Sequence, residues 1–387
     1  MPYVTVIQPP RKTQLSFDDM MADKIDWDKH TDNRVSSNTR TFYMKEVNEQ
    51  LLDSIYIGDM VNALKKFNQK YETLFTQDMA TQYRTFHIPK SSGGLRRIDA
   101  PNEELKEALR ELVKVFREDL LALYHTSAFA YVKSRSTVDA VKRHQQFNSR
   151  WFLKLDFSNF FGSTTPEFVM SMLSQIFPFS EVVKIDEGRE ALAKALSLGF
   201  LNGGLPQGTP LSPFLTNLMM LPIDHVLANS LRKFGDISCM YTRYADDIVV
   251  SCKVDFNDIK DKVVEFITQT LTNHGAPFGL NPQKTKYGSS AGKNWILGVM
   301  LNKDNQMTVG HKNKKHFKAM LDSYIRDKRR GIQWELNHVQ VLNGLYSYYR
   351  NIEKDYMDYV MAHYSEKYNL DVMESIKADL KQLALAA

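Results

Sequence analysis

Only two cysteines, Cys239 and Cys252, occur in 387 residues, which excludes a disulfide-stapled scaffold and any metal centre built from cysteine clusters. No apolar run is long enough to cross a bilayer, and the chain does not open with a basic stretch followed by a long apolar core of the kind that directs secretion. With 43% hydrophobic residues, these absences lead us to expect a soluble, cytoplasmic chain of two or three domains with no membrane partner. Excess charge is also small: a net charge of +5 and a pI of about 8.8 favour polyanionic partners only mildly. No internal repeat or low-complexity tract is present.

Against this plain background, Tyr244-Ala245-Asp246-Asp247 sits between two β-type runs, 237–243 and 248–253, so two adjacent carboxylates lie at the tip of a hairpin. Asp in a short turn is ordinary turn chemistry, and most such pairs are only solvated. A third carboxylate changes the weighing: Asp156 ends the apolar run that starts at Trp151, and three acids at strand ends can share two metal ions. A turn at Ala245-Asp246 also makes Cys239 and Cys252 opposite cross-strand neighbours, expected as free thiols. Charge concentrates between His311 and Arg330, where eight Lys or Arg stand against two Asp; the ordinary reading is a solvated helix face, the alternative a track for phosphates.

Residues 1–45 read as an extended arm with one short helix, and 46–85 carry helical spacing through Val47, Leu51, Ile55, Ile57, Met60, Leu64 and Phe67. A basic hairpin spans 86–101 around Ser91, Ser92, Gly93 and Gly94, with Lys90, Arg96 and Arg97 as triphosphate clamps or incidental loop cations; a helix follows over 102–124. A basic helix over 139–150 leads into the Asp156 strand, and 166–198 is helical. The Gly- and Pro-rich stretch 199–213 is a shaped loop, because an apolar helix through Leu227 starts directly after it. Such a loop lets backbone approach a ligand closely. Further on come a helix over 258–273, the segment 280–287, a strand pair over 294–301, and a C-terminal stretch of helices.

The three acids, the Pro206-Gln207-Gly208 loop and the Lys284-Thr285 segment, in this order, resemble the bacterial reverse transcriptases of the retron, group II intron and defence-associated superfamily over residues 85–350. The resemblance implies an α+β, right-hand polymerase fold: an N-terminal extension (1–45), fingers (46–150), a palm (151–300) with a fingers insertion near 165–205, and a helical thumb with a tail (301–387). In that frame Asp156 and Asp246 bridge two Mg²⁺ ions, with Mn²⁺ as an alternative, and Asp247 supports them. Phe161 obstructs a 2′-hydroxyl and so implies dNTPs, Phe160 belongs to the core, and the backbone N–H of Phe157 serves the triphosphate. Gln207 and Gly208 meet the nascent base pair, Lys90 and Arg96 the β- and γ-phosphates, and Leu297-Gly298 forms the primer grip. Lys284 is a general acid for pyrophosphate or a surface lysine. Leu342, Leu345, Tyr349, Ile352, Tyr356 and Tyr359 recur at helical spacing as thumb core.

Two elements depart from the retron pattern. The Asn-Ala-x-x-His element reads Asp139-Ala140 to His144, one residue longer, and the Val-Thr-Gly position reads Ile296-Leu297-Gly298. Without a mobility domain, the chain fits the defence-associated or abortive-infection group, whose partners are a dedicated non-coding RNA template, dNTPs and a cDNA product, with a homo-oligomer or partner protein also expected. Template-independent or protein-primed synthesis is the enzymatic rival, and a non-catalytic RNA-binding scaffold is the rival of another class. Intact carboxylates weigh against the scaffold, since purely structural use would tolerate Asn there.

Overall fold

The computed structural model describes residues 57–90, 93–117, 123–292 and 294–386. The arm expected over 1–45 and the first part of the 46–85 pattern, with Val47, Leu51 and Ile55, lie outside the described residues. Chain contacts divide the molecule into two compact units, one ending at Ser136 and resuming over Trp151–Tyr287, the other made of Thr137–Arg150 and Gly288–Ala387.

In the first unit, α1 (Ile57–Lys70) turns Met60, Val61, Leu64 and Phe67 inward, as their spacing requires. Strands β1 (Tyr83–Pro89) and β2 (Leu95–Pro101) pair antiparallel from Tyr83↔Pro101 to Pro89↔Leu95, and nearly all of β1 is exposed. Helix α2 (Glu103–Val115) follows, capped by the Asn102 side chain. Strand β3 (Trp151–Asp156) runs into a helical turn at Phe160–Ser163, then α4 (Pro166–Leu173) and α5 (Asp186–Ser197). Helix α6 (Leu211–Arg232) is apolar on every side and buried along most of its length. Beside it, β4 (Cys239–Tyr244) and β5 (Asp247–Cys252) join β3 and β6 (Lys286–Ser289) in a sheet of order β4-β5-β3-β6. Between β5 and β6 lies α7 (Lys260–Asn273).

The sheet register pairs Tyr244 with Asp247 and Cys239 with Cys252, the pairing expected from a turn at Ala245-Asp246, and both cysteines are buried free thiols. On the other edge of β5, Asp156 faces Asp247 and Trp151 faces Cys252. After Asp247 every residue of β5 is buried, so a slip of one position would drive its carboxylate into the core; burial therefore fixes the register that aligns the acids.

In the second unit, α3 (Thr137–Gln146), expected among the fingers, groups with the C-terminal part of the chain. Gln145 and Asn305 exchange side-chain-to-carbonyl hydrogen bonds at 2.9 and 2.8 Å. The small sheet β7 (Trp295–Ile296), β8 (Val299–Leu301), β9 (Met307–Thr308) turns between its first two strands at Leu297 and Gly298, both with positive φ (50° and 82°), as a tight two-residue hairpin demands. Helices α8 (Gly310–Arg329), α9 (Leu336–Ile352), α10 (Lys354–Tyr368) and α11 (Val372–Ala386) complete it. The expected apolar stripe holds for Leu342, Tyr349 and Ile352, is half-buried at Leu345 and Tyr356, and fails at Tyr359, which is 64% exposed. The reason is a break at Glu353, whose non-helical backbone resets the helical phase. Its carboxylate accepts hydrogen bonds from Thr308, Val309 and Lys314, and α10 buries Met357, Val360 and Met361 instead. No helix among the described residues is long and apolar enough to cross a membrane.

Candidate active site

Three carboxylates meet at one end of the sheet because strand pairing brings them there. Asp156, 8% exposed, ends β3; Asp247 opens β5 directly opposite; Asp246 occupies the turn between β4 and β5. Ala245 takes φ +57°, a conformation an L-residue adopts at a cost, so something must hold the turn.

Arg243 does so. Its guanidinium is fully buried and donates to Asp224 of α6 from Nε at 2.9 Å and from Nη2 at 2.7 Å, to Asn217 Oδ1 at 3.2 Å, and to the Ala245 carbonyl at 3.2 Å. Tyr241 Oη donates to the same Asp224 at 2.7 Å. Burial works against the guanidinium charge, but the Asp224 carboxylate overcomes it and keeps Arg243 protonated. None of this network was anticipated from sequence, although a single Asp inside an apolar helix and a single Arg inside a buried strand are the signal, since buried charges need partners.

Lys284 Nζ lies 2.9 Å from both Asp156 oxygens, while its side chain remains largely exposed. The hydrogen bond it donates to Asp156 holds its ammonium above the usual lysine range. Asp246 is pushed up, first by burial and then by the Asp156 charge. The Asp247 carboxyl reaches solvent, yet its low-dielectric surroundings, followed by Asp246 and Asp156, push it up to about 6. The chain thus stores like-charge repulsion that a cation would relieve.

Phe157 departs from expectation. Its N–H donates to the Asp246 carbonyl at 3.0 Å and is therefore unavailable to a triphosphate, while its ring is buried against Phe160 and Phe278. Its contribution is to stitch the two acid-bearing strands together. Phe160 is core, as expected.

The Gly- and Pro-rich loop is docked beside Phe161. Leu205 N–H donates to the Phe161 carbonyl at 2.9 Å, and a Cβ on Gly204 would stand 2.2 Å from the Gly162 carbonyl oxygen, so only glycine fits there. Further along, the Gln207 carbonyl accepts from Asp99 N–H at 2.8 Å, and a Cβ on Gly208 (φ +125°) would stand 3.0 Å from the Asp99 carbonyl oxygen. Gln207 and Gly208 therefore seat the loop on β2. On the same hairpin Arg97 is committed to Asp99 at 2.9 Å, whereas Lys90 and Arg96 are exposed with no ion-pair partner among the described residues. The Arg96 charge reaches Asp246, whose carboxyl it pulls back down. Leu297 and Gly298 belong to the second unit, at the β7–β8 turn.

With that geometry in place, comparison with known proteins gives four findings. A family model described as "Reverse transcriptase (RNA-dependent DNA polymerase)" matches residues 88–316. The retron Ec83 reverse transcriptase of Escherichia coli is 28% identical over 326 residues, covering 82% of this chain and 97% of that protein. The retron Ec73 enzyme of the same species is 26% identical over 318 residues, covering 79% and 94%. Among solved structures, a telomerase from Candida albicans in complex with a TWJ fragment of telomeric RNA aligns with a TM-score of 0.44 at 12% identity, over 78% of this chain and 60% of that one. The altered elements at Asp139–His144 and Ile296–Gly298 do not prevent the chain from matching these two retron enzymes over nearly their full length.

Proposed function

Since the chain belongs to the reverse transcriptase family, with the α+β right-hand polymerase fold and the RNA-directed DNA polymerase activity of its bacterial retron-type members, we propose that Asp156, Asp246 and Asp247 form a two-metal site for adding dNTPs to a 3′-hydroxyl. The register that sets Asp156 opposite Asp247 with Asp246 on the adjoining turn carries this reading.

Among the described residues no group of three or more His, Cys, Asp or Glu closes around a point, and the three acids offer oxygen donors only. That donor chemistry suits Mg²⁺, with Mn²⁺ as a substitute, because these ions retain water and take the rest of their shell from substrate phosphates. When bound, two such ions lower the pKa of the primer hydroxyl and stabilise charge on the transferring phosphoryl group. Asp156 and Asp246 would hold them and Asp247 would support them. Lys284, kept protonated beside Asp156, would give a proton to departing pyrophosphate. Phe161 bars the 2′-hydroxyl, and Lys90 and Arg96 draw in the triphosphate.

The template in this proposal is a dedicated structured non-coding RNA, the product its cDNA, and the setting a cytoplasmic antiphage system. The eight Lys and Arg between His311 and Arg330, most of them on α8, support a nucleic-acid partner. The defence setting follows the resemblance to the defence-associated superfamily. The protein purified with its bound RNA, given labelled dNTPs and Mg²⁺, is expected to make RNase-sensitive cDNA that Asp246→Asn abolishes. Product that survives RNA removal would point to untemplated synthesis. A phage-plaque assay comparing wild type with Asp246→Asn tests the defence role, and equal protection by both removes it.

A further inference from the structure

Tyr131 is not among the residues assigned to the site above, yet its backbone conformation is one that a bulky residue adopts at a cost. Its backbone sits at φ +60°, which bulky L-residues avoid, and its side chain is 51% exposed, so burial does not repay the strain. The chain on either side is pinned. The Ala130 carbonyl accepts from the buried Asn217 amide at 2.8 Å, Phe129 N–H donates to the Arg243 carbonyl at 2.9 Å, and Arg135 Nη1 donates to the carbonyls of His125 and Ala128, each at 2.6 Å. Asn217 in turn accepts from the Arg243 guanidinium that also holds Ala245. One buried hub therefore fixes both the acidic turn and the strained segment.

The Tyr131 ring is presented edge-on to Phe161, with centroids 6.5 Å apart and planes at 80°. Phe161 otherwise leans on Phe160 at 5.6 Å, again edge to face. An aromatic that measures a sugar must be unable to swing aside, and Tyr131 supplies a stop on a second side.

We propose that Tyr131 is a specificity-determining residue of the nucleotide pocket, a second wall that backs Phe161 and fixes the space left for the incoming sugar. The inference rests on the reading of Phe161 as the sugar gate. Its pinned backbone also sets Tyr131 apart from a priming tyrosine, which has to travel with the growing strand.

Single-nucleotide extension with dNTP and rNTP separately, on a primed RNA template, tests this in Tyr131→Gly, Tyr131→Phe and Phe161→Val. Glycine is at ease at φ +60°, so Tyr131→Gly keeps its Tm while dNTP-over-rNTP preference falls by about tenfold, the effect of enlarging a fitted pocket by a small group. Tyr131→Phe retains the wild-type preference. Unchanged preference in Tyr131→Gly, whether or not its Tm falls, with preference lost in Phe161→Val, overturns the role of Tyr131 and leaves the gate reading intact. Unchanged preference in both variants removes the gate reading itself. A covalent protein–nucleotide adduct that disappears in Tyr131→Phe makes the residue a primer and also overturns the proposal.

Discussion

Two antiparallel hairpins of the first unit carry opposite charges and are built in opposite ways. The β4–β5 hairpin, which bears the acids, is buried along both strands, paired on its far edge with β3, and braced from within by an ion pair that solvent never reaches. The β1–β2 hairpin, which bears Lys90 and Arg96, pairs with no third strand among the described residues and exposes nearly every residue of its first strand. The chemistry proposed for each hairpin accounts for the difference. Carboxylates that share small cations must be held to within about 0.5 Å, whereas cations that attract a triphosphate act over about a Debye length and can adjust as the ligand arrives. Rigidity is concentrated where placement matters.

Removing the hub is expected to break this contrast most severely. Arg243→Leu leaves Asp224 charged, buried and unpaired, and should cost about 3–5 kcal/mol of stability. The double variant Arg243→Met, Asp224→Leu restores apolar packing and should recover most of that loss in a denaturant titration. It should not recover polymerisation, because the Ala245 carbonyl still lacks its donor. Full activity in the stable double variant would show that the turn keeps its shape unaided.

Gly204→Ala comes next. With the Gly162 carbonyl 2.2 Å from the new Cβ, the loop must lift away from Phe161, at about 1–3 kcal/mol in stability. Sugar selectivity and dNTP KM should worsen together, since one loop touches both the Phe161 turn and β2. A wild-type KM would mean that the loop and the hairpin act independently.

The ease with which each region could be read from sequence follows the same division. Asp156, Asp246, Asp247 and the cysteine pairing were legible because strand alternation and a two-residue turn are local, and burial of β5 allows a single register. Arg243, Asn217 and Tyr131 were not, because their roles depend on contacts between separate elements, such as Arg243 to Asp224 and Asn217 to Ala130, that no local pattern announces. Phe157 was misread for a related reason: sequence shows that a residue has an N–H but not that the Asp246 carbonyl already takes it. Tyr359 was misread because nothing in the spacing of α9 and α10 announces the break that Glu353 introduces by capping a different strand.

On the exposed hairpin, Arg96→Ala should leave stability within about 0.5 kcal/mol, as for most surface substitutions. It should raise the dNTP KM about tenfold, the loss of roughly one charge-assisted contact. Lys90→Ala should act in the same direction and less, being at the edge of the turn. A change in kcat with unaltered KM would assign Arg96 to the transition state and blur the division between the two hairpins.

The smallest effect sharpens the comparison from the acidic side. In the folded chain the Asp247 carboxyl binds its proton up to about pH 6, against an ordinary value of 3.8. Its contribution favours the folded state below pH 3.8 and is lost as pH rises through about 6, so at neutral pH the charged residue opposes folding. Asp247→Asn should therefore raise the Tm of the protein in chelator at pH 7.5, by about 1 kcal/mol after allowance for solvent screening, or roughly 2–4 °C. At pH 4 the gain should vanish. Adding Mg²⁺ should then stabilise wild type more than the variant, because the cation relieves a repulsion that the amide has already removed. A variant less stable than wild type at pH 7.5 would mean that Asp247 is held by compensating contacts, and that the acidic turn is relaxed rather than poised for a cation.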